Sequence, residues 1–187
     1  MPVVTVTLLP GYGHECESRL VQRLGLATRS VIAAQPAGTT VFVQHAATYM
    51  RDGRVFSGGG AELPDASALV RRFLETMQAR DLAAARNFLA PGFSMTFPGA
   101  APMSDLEQLV GWAKGRYQSV AKTYERFEEC WGEGFTTVFC SGTLSGTWLD
   151  GSRFEGIRFI DRFEVEAGSL RRQDVWNDLA EVRPRQG

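Results

Sequence analysis

Ile157-Arg158-Phe159-Ile160-Asp161-Arg162-Phe163-Glu164-Val165-Glu166-Ala167-Gly168-Ser169-Leu170 is the stretch that decides the fold of most of this chain. Alternation puts Phe159, Asp161 and Phe163 on one face of a strand over 153–165, and Arg158, Ile160 and Arg162 on the other. Ala167-Gly168 turns the chain, and a last strand over 169–177 carries Arg172, Asp174, Trp176 and Asp178 on one face. An aspartate flanked two residues away on either side by phenylalanines is chemically unusual. If that face is buried, desolvation raises the carboxyl pKa and favours the neutral acid, which can donate a hydrogen bond to an oxyanion. The plain structural alternative is an ion pair between Asp161 and a cross-strand arginine such as Arg171 or Arg172.

Upstream of this segment lie two more predicted strands, over 123–131 and 136–149, with turns at Gly132-Glu133-Gly134 and Asp150-Gly151. Before them the apolar spacing predicts helices over 66–80, 82–89 and 104–120. The last of these has Ser104 and Glu107 at capping-box spacing. A short strand, Phe93 to Gly99, separates the second and third helices. Helices followed by an antiparallel meander predict an α+β domain. The order and the quoted segment, with Asp174-Val175-Trp176-Asn177-Asp178 after it, resemble the SnoaL-like branch of the nuclear transport factor 2 superfamily over about 65–180. This superfamily includes ketosteroid isomerase and polyketide cyclases. The resemblance implies a cone-shaped domain, three helices on a curved antiparallel sheet enclosing an apolar pocket.

It further implies that Asp161 sits where ketosteroid isomerase keeps its neutral aspartic acid. It places Trp176 in the pocket wall, and Asp174, ahead of Asp178, as a late-sheet acid or base. The ketosteroid isomerase general base falls on Phe97 and its tyrosine on Phe73, so that enzyme's machinery is absent as written. An epoxide hydrolase of this fold needs an arginine where Phe159 stands. Phe73, Phe97, Phe159 and Trp176, with Met77, Phe88, Trp112, Tyr117 and Trp148, form the candidate pocket set, suited to a flat aromatic or polycyclic ligand.

The chain begins differently. Met1-Pro2 leads into an alternating strand over 3–8, broken by Pro10-Gly11. A helix over 14–34 follows, with Leu20, Val21, Leu24, Ala27, Val31 and Ile32 as its stripe, and then a strand over 39–46. A charged turn, Arg51-Asp52-Gly53-Arg54, precedes Ser57-Gly58-Gly59-Gly60. Removal of Met1 would leave Pro2 with a free secondary amine, whose ordinary pKa near ~8 falls toward neutrality near cations or in apolar surroundings. Pro2, Leu9-Pro10-Gly11, Thr40-Val41-Phe42-Val43 and Gly53 with Gly58-Gly59 resemble the 4-oxalocrotonate tautomerase family over residues 2 to about 60. That resemblance implies a β-α-β unit with Pro2 as a proton shuttle. The family's two arginines fall on Tyr12 and Phe42, and its wall aromatic on Val55 or Phe56. Tyr12 and Arg54, with Arg51, are the candidates to contact substrate in their place.

The division follows: a tautomerase-like domain at 1–60, a linker at 61–66, a SnoaL-like domain at 67–180 and a tail at 181–187. A lone strand-helix-strand unit leaves sheet surface uncovered, so a homo-oligomer, a dimer or a trimer of dimers, is expected. Net charge is −1, from 20 basic and 21 acidic residues without a basic run, which argues against nucleic acid as a partner. No apolar run reaches the ~18 residues of a membrane span and no signal-peptide pattern opens the chain. Three scattered cysteines, Cys16, Cys130 and Cys140, suggest reduced thiols and a cytoplasmic setting. His14 and His45 read as structural, and neither metal nor cofactor is expected. The expected activity is a cofactor-independent isomerase or cyclase acting on a small molecule with an enolisable carbonyl. Pro2, Asp161 and Asp174 are its catalytic candidates. In the alternative, only the second domain acts or binds, and the first is an assembly module.

Overall fold

The structure, a computed structural model, describes residues 1–57 and 62–182. The linker glycines Gly58, Gly59 and Gly60, the Gly58-Gly59 part of the tautomerase pattern, and the tail from 183 lie outside the described residues. The chain divides into two compact units, Met1–Glu62 and Leu63–Gly187.

In the first unit, β1 (Val3–Leu8) and β2 (Thr40–His45) form a parallel pair, joined by α1 (His14–Val31) and a 3-10 turn at Pro36–Gly38. Parallel neighbours need such a crossover. Pro2 lies just ahead of β1, half-buried, and its carbonyl accepts from the Thr40 amide at 3.1 Å. On one face Val4, Val6, Val41 and Val43 are half-buried, and a Cβ on Gly25 of α1 would touch Val41. Val3 and Phe42 on the other face are exposed. A hairpin of β3 (Thr48–Arg51) and β4 (Arg54–Ser57) follows. Asp52 and Gly53, both at positive φ, make its two-residue turn, and Tyr49 stacks on Phe56 at 5.3 Å. No described residue of this unit is fully buried.

The second unit is α+β. Its helices are α2 (Ala66–Gln78), α3 (Leu82–Arg86), α4 (Leu106–Lys114) and the short α5 (Leu179–Val182). Its sheet holds β5 (Leu89–Thr96), β6 (Tyr117–Trp131), β7 (Thr136–Trp148), β8 (Arg153–Glu166) and β9 (Ser169–Asn177), in the order β5-β9-β8-β7-β6. Only β5–β9 is parallel. Asp65 and Asp81 cap α2 and α3 with 2.9 Å bonds from the amides of Ala68 and Ala84. Val70, Phe73 and Leu74 of α2 meet the inner sheet face, where Val138, Cys140, Leu144, Phe159 and Phe163 are buried.

Helix α1 ends at Val31, short of 34, with Ile32 as its C-cap, and α2 ends at Gln78, short of 80; three further boundaries in the second unit differ from the sequence expectation. The third helix begins after Asp105, which accepts from the Glu107 amide, so Ser104 is not its cap. It ends at Gly115 and the chain enters β6 at Tyr117, six residues earlier than alternation predicts. Register shifts between Tyr117 and Ser119 and between Tyr124 and Arg126 interrupt the two-residue period there, and the mixed pattern imitates a helix. β5 starts at Leu89 and shortens the preceding helix, because Pro91 and Gly92, with φ of 78°, are absorbed in an irregularity between Leu89 and Ser94.

Glycines shape the sheet where β6 crosses β7. A Cβ on Gly142 would run into the Thr123 carbonyl oxygen, and one on Gly146 into that of Ser119. Only glycine lets the two strands approach so closely.

Candidate functional site

Asp161 and Lys122 form the chemical centre of the second unit. Asp161 projects from β8 into the core and has no exposed surface. Its Oδ2 accepts from Lys122 Nζ, reaching in from β6, and from Gln173 Nε2 of β9 at 3.4 Å. Its Oδ1 is buried without a hydrogen-bond partner. Burial pushes the carboxyl above its ordinary value, and the Lys122 charge and hydrogen bond, with the Gln173 bond, oppose that without cancelling it. The alternative ion pair with a cross-strand arginine does not form: Arg171 pairs with Glu166 and Arg172 with Asp174, and the cation at Asp161 comes from β6.

Lys122 passes over the Phe159 ring, 4.5 Å from its centre, and is largely buried. Cation and ring attract one another in such a position. Phe159 also meets Tyr124 edge-on at 5.7 Å. Burial first, then the Asp161 and Cys140 charges, raise the Tyr124 hydroxyl well above its usual pKa. Cys140, paired with Asp161 across β7 and β8, is pushed up to about 12, chiefly by burial, and is a packed thiol with no nucleophilic character at neutral pH.

Lys122, Gln173 and Tyr124 line a cavity of about 150 Å³ between the sheet and helices α2 and α4. Phe73, Met77, Phe97 and Tyr117 of the candidate set also face it. Phe159 lies behind Lys122 in the core. The lining is mostly apolar; Gln78 and Arg80 contribute to it as well as Lys122 and Gln173, and the Asp161 carboxylate holds the last two from behind.

Asp174 and Trp176 are not brought to this cavity. Strand alternation turns Gln173 and Val175 inward and Asp174 and Trp176 outward, with Trp176 opposite Ile160 and half exposed. Asp174 accepts from Arg162 at 3.3 Å and Arg172 at 2.9 Å. Asp178 pairs with Arg158 on the surface. Both aspartates and Trp176 border a separate cleft of about 520 Å³, between β9 and residues 96–100. In the first unit, Tyr12 is half-buried between β1 and α1, and Arg54 is exposed on β4 opposite Arg51. His45 pairs with Glu17 at 2.7 Å, which gives it a structural partner.

Sequence reading missed Lys122 and Gln173. Gln173 was legible, since it shares the parity of Val175 and lies across from Phe163. Lys122 was hidden by the shifted β6 boundary, which placed it in a turn. Among the described residues no group of three His, Cys, Asp or Glu side chains is placed to hold a metal, and no helix is long and apolar enough to cross a membrane.

A profile of the SnoaL-like domain matches residues 70–173. Among solved structures, an NTF2-like protein of unknown function from Burkholderia pseudomallei is 20% identical, over 61% of this chain and 91% of that one, with a TM-score of 0.53. An NTF2-like protein from Burkholderia thailandensis is 21% identical, over 66% and 100%, with the same TM-score of 0.53. TerC co-crystallised with polyporic acid is 12% identical, over 61% and 92%, with a TM-score of 0.51. At these identities the likeness is one of fold. No curated protein matches the chain.

Proposed function

Because this chain belongs to the SnoaL-like domain family, we propose that the cavity of its second unit is the active site of a cofactor-independent isomerase or cyclase. Its substrate is a polyketide-like or aromatic compound with an enolisable carbonyl. The observation that carries this reading is the fully buried Asp161 gripping a lysine at the wall of an aromatic cavity.

Enolisation needs two things: a group that meets the negative charge growing on the carbonyl oxygen, and a group that takes the carbon-bound proton. The Lys122 ammonium supplies the first. In a low-dielectric cavity a fixed cation is worth far more to an enolate than in water. Asp161 aims that cation, and Gln173 adds a neutral donor beside it. Asp161 stands behind Lys122 and Gln173 and does not line the cavity, so it takes the second role only once Lys122 swings from it toward the enolate oxygen. Its carboxylate takes the α-proton and returns it to another atom of the same enolate, so isomerisation leaves the enzyme unchanged and needs no cofactor.

Two measurements test this. Exchange of α-protons into deuterated water, followed by NMR on a panel of aryl 1,3-diketones, identifies a substrate. Asp161→Asn, close in shape, is then expected to lower the exchange rate by roughly 10²-fold or more while the protein stays folded. An unchanged rate would remove Asp161 from the mechanism.

The first unit supports a second, tautomerase-like reading, in which Pro2 is a general base. The feature favouring it is Pro2 at the head of β1 in a parallel β-α-β unit. Tyr12 and Arg54 are then its substrate-contacting candidates, and Asp174 is an accessory group of the second unit. The intact mass of the purified protein decides whether Pro2 has a free amine. With Met1 gone, Pro2→Gly is expected to slow tautomerisation of a small 2-oxo acid. With Met1 retained, the Pro2 nitrogen is an amide and the unit serves assembly.

A further inference from the structure

Phe97 borders two spaces at once. It lines the cavity that holds Lys122 and also the outer cleft beside Trp176. The same is true of its neighbour strand in a different way: Gln173 faces the cavity and Asp174, the next residue, faces the cleft. The two spaces therefore adjoin at Phe97, with Gln173 and Asp174 of β9 facing one each.

Their sizes matter. A cavity of about 150 Å³ is what an apolar protein site needs to hold a single benzene ring. Sites for drug-sized ligands run to about 300–1,000 Å³. The cavity alone has room for a single ring, whereas cavity and cleft together fall inside that range.

The backbone beside Phe97 is pinned. Phe97-Pro98-Gly99-Ala100 is a turn closed by the Ala100 amide on the Phe97 carbonyl at 3.0 Å, with Pro98 fixed by its ring and Gly99 at a φ of 73°. On the cavity side the Phe97 ring leans on Trp112 at 5.4 Å, tilted by 54°. Phe97 itself is only half-buried. With the backbone held, rotation of the side chain is the movement open to Phe97.

We propose that the cleft is a second compartment of the substrate site, holding the distal aryl part of a substrate whose acidic oxygen sits at Lys122, and that Phe97 is the partition that swings to admit it. This rests on the reading of the cavity as the substrate site. The distal ring lies against Trp176, whose half-exposed indole offers a flat apolar face at the cleft wall. The carboxylate of Asp174 at that wall is already neutralised by Arg162 and Arg172, so it does not repel an electron-rich ring. The substrate class is accordingly an enol or phenol carrying at least two ring widths of apolar skeleton.

The test uses the full chain and two probes, phenol and 4-hydroxybiphenyl, with binding followed calorimetrically. The wild type is expected to prefer the biphenyl. Trp176→Ala, a surface change, is expected to weaken the biphenyl roughly five- to tenfold and to leave phenol unchanged. Phe97→Ala is expected to tighten the biphenyl relative to phenol, since the partition is gone. Lys122→Met combined with Asp161→Asn removes the polar centre without stranding a charge, and is expected to weaken both probes alike. If Trp176→Ala and Phe97→Ala leave the ratio of the two affinities unchanged while the double variant weakens both, the cavity reading survives and the second compartment is wrong. If the double variant weakens neither probe, the cavity reading fails and takes the compartment with it.

Discussion

Lys122→Met is expected to cost about 3 kcal/mol of folding stability at neutral pH, read from urea denaturation, and to abolish the proposed activity. The side chain removed is not itself the source of the loss. Asp161 is wholly buried, one of its oxygens has no partner, and Gln173 at 3.4 Å is the remaining donor to the other. Without Lys122 a carboxylate stands in the core with no compensating cation. Lys122→Met with Asp161→Asn, which leaves no charge, is expected to recover most of the loss, because replacing both members of a buried pair is often close to neutral.

The pH dependence follows with a definite sign. The folded-state pKa of Asp161 is raised above its ordinary 3.8. Between that ordinary value and the raised one, the folded protein holds the proton that the unfolded chain has released. The contribution of Asp161 to stability is therefore largest below the ordinary value and falls as pH rises through this window. Lys122 opposes the shift in the wild type. Its removal widens the window upward, so Lys122→Met is expected to regain stability on acidification more steeply than the wild type does. A single variant as stable as the wild type at neutral pH, with no such recovery, would show that the pair is not coupled.

Gly142→Ala is expected to be as damaging, through the backbone alone. Its Cβ would overlap the Thr123 carbonyl oxygen and crowd Thr123 C at 3.0 Å and Tyr124 Cα at 3.1 Å. None of these can rotate away, so β6 must lift from β7. Overpacking of this kind costs typically 1–3 kcal/mol and more against main chain. Thr123 and Tyr124 adjoin Lys122, so the same movement displaces the lysine from Asp161. Gly111→Ala is the control of opposite sign. Gly111 lies in α4 with nothing within 4 Å of the added Cβ, and the change is expected to stabilise by about 0.5–1 kcal/mol. Thermal melts of the two variants check both signs.

The meander from 136 to 177 was legible because its strands alternate cleanly and end at glycine turns. The inward set Phe159, Asp161 and Phe163 follows from parity alone. The partner of Asp161 was not legible. An ion pair between β6 and β8 crosses an intervening strand, and β6 carries two register shifts that erase its period. Trp176 illustrates the opposite difficulty. Its size suggested a pocket wall, but parity on β9 is set by Gln173 opposite Phe163, and Trp176 goes to the outer face with Asp174. In the first unit, α1 and the parallel pair were legible from spacing, whereas the hairpin of β3 and β4 rests on four-residue strands too short for alternation to register.

The alternation of Gln173 and Asp174 also bears on how β9 finds its place. A slip of one residue against β8 would carry the Asp174 carboxylate inward to Asp161 and expel the neutral amide. Two carboxylates would then share one apolar space and a single lysine, an arrangement that like-charge repulsion strongly penalises. Arg162 would keep Glu164 of its own strand but lose Asp174 on the outer face at the same moment. The misaligned sheet is thus penalised on both of its faces by one and the same error, so the charges flanking this strand act as a proofreading device for folding, independent of any ligand.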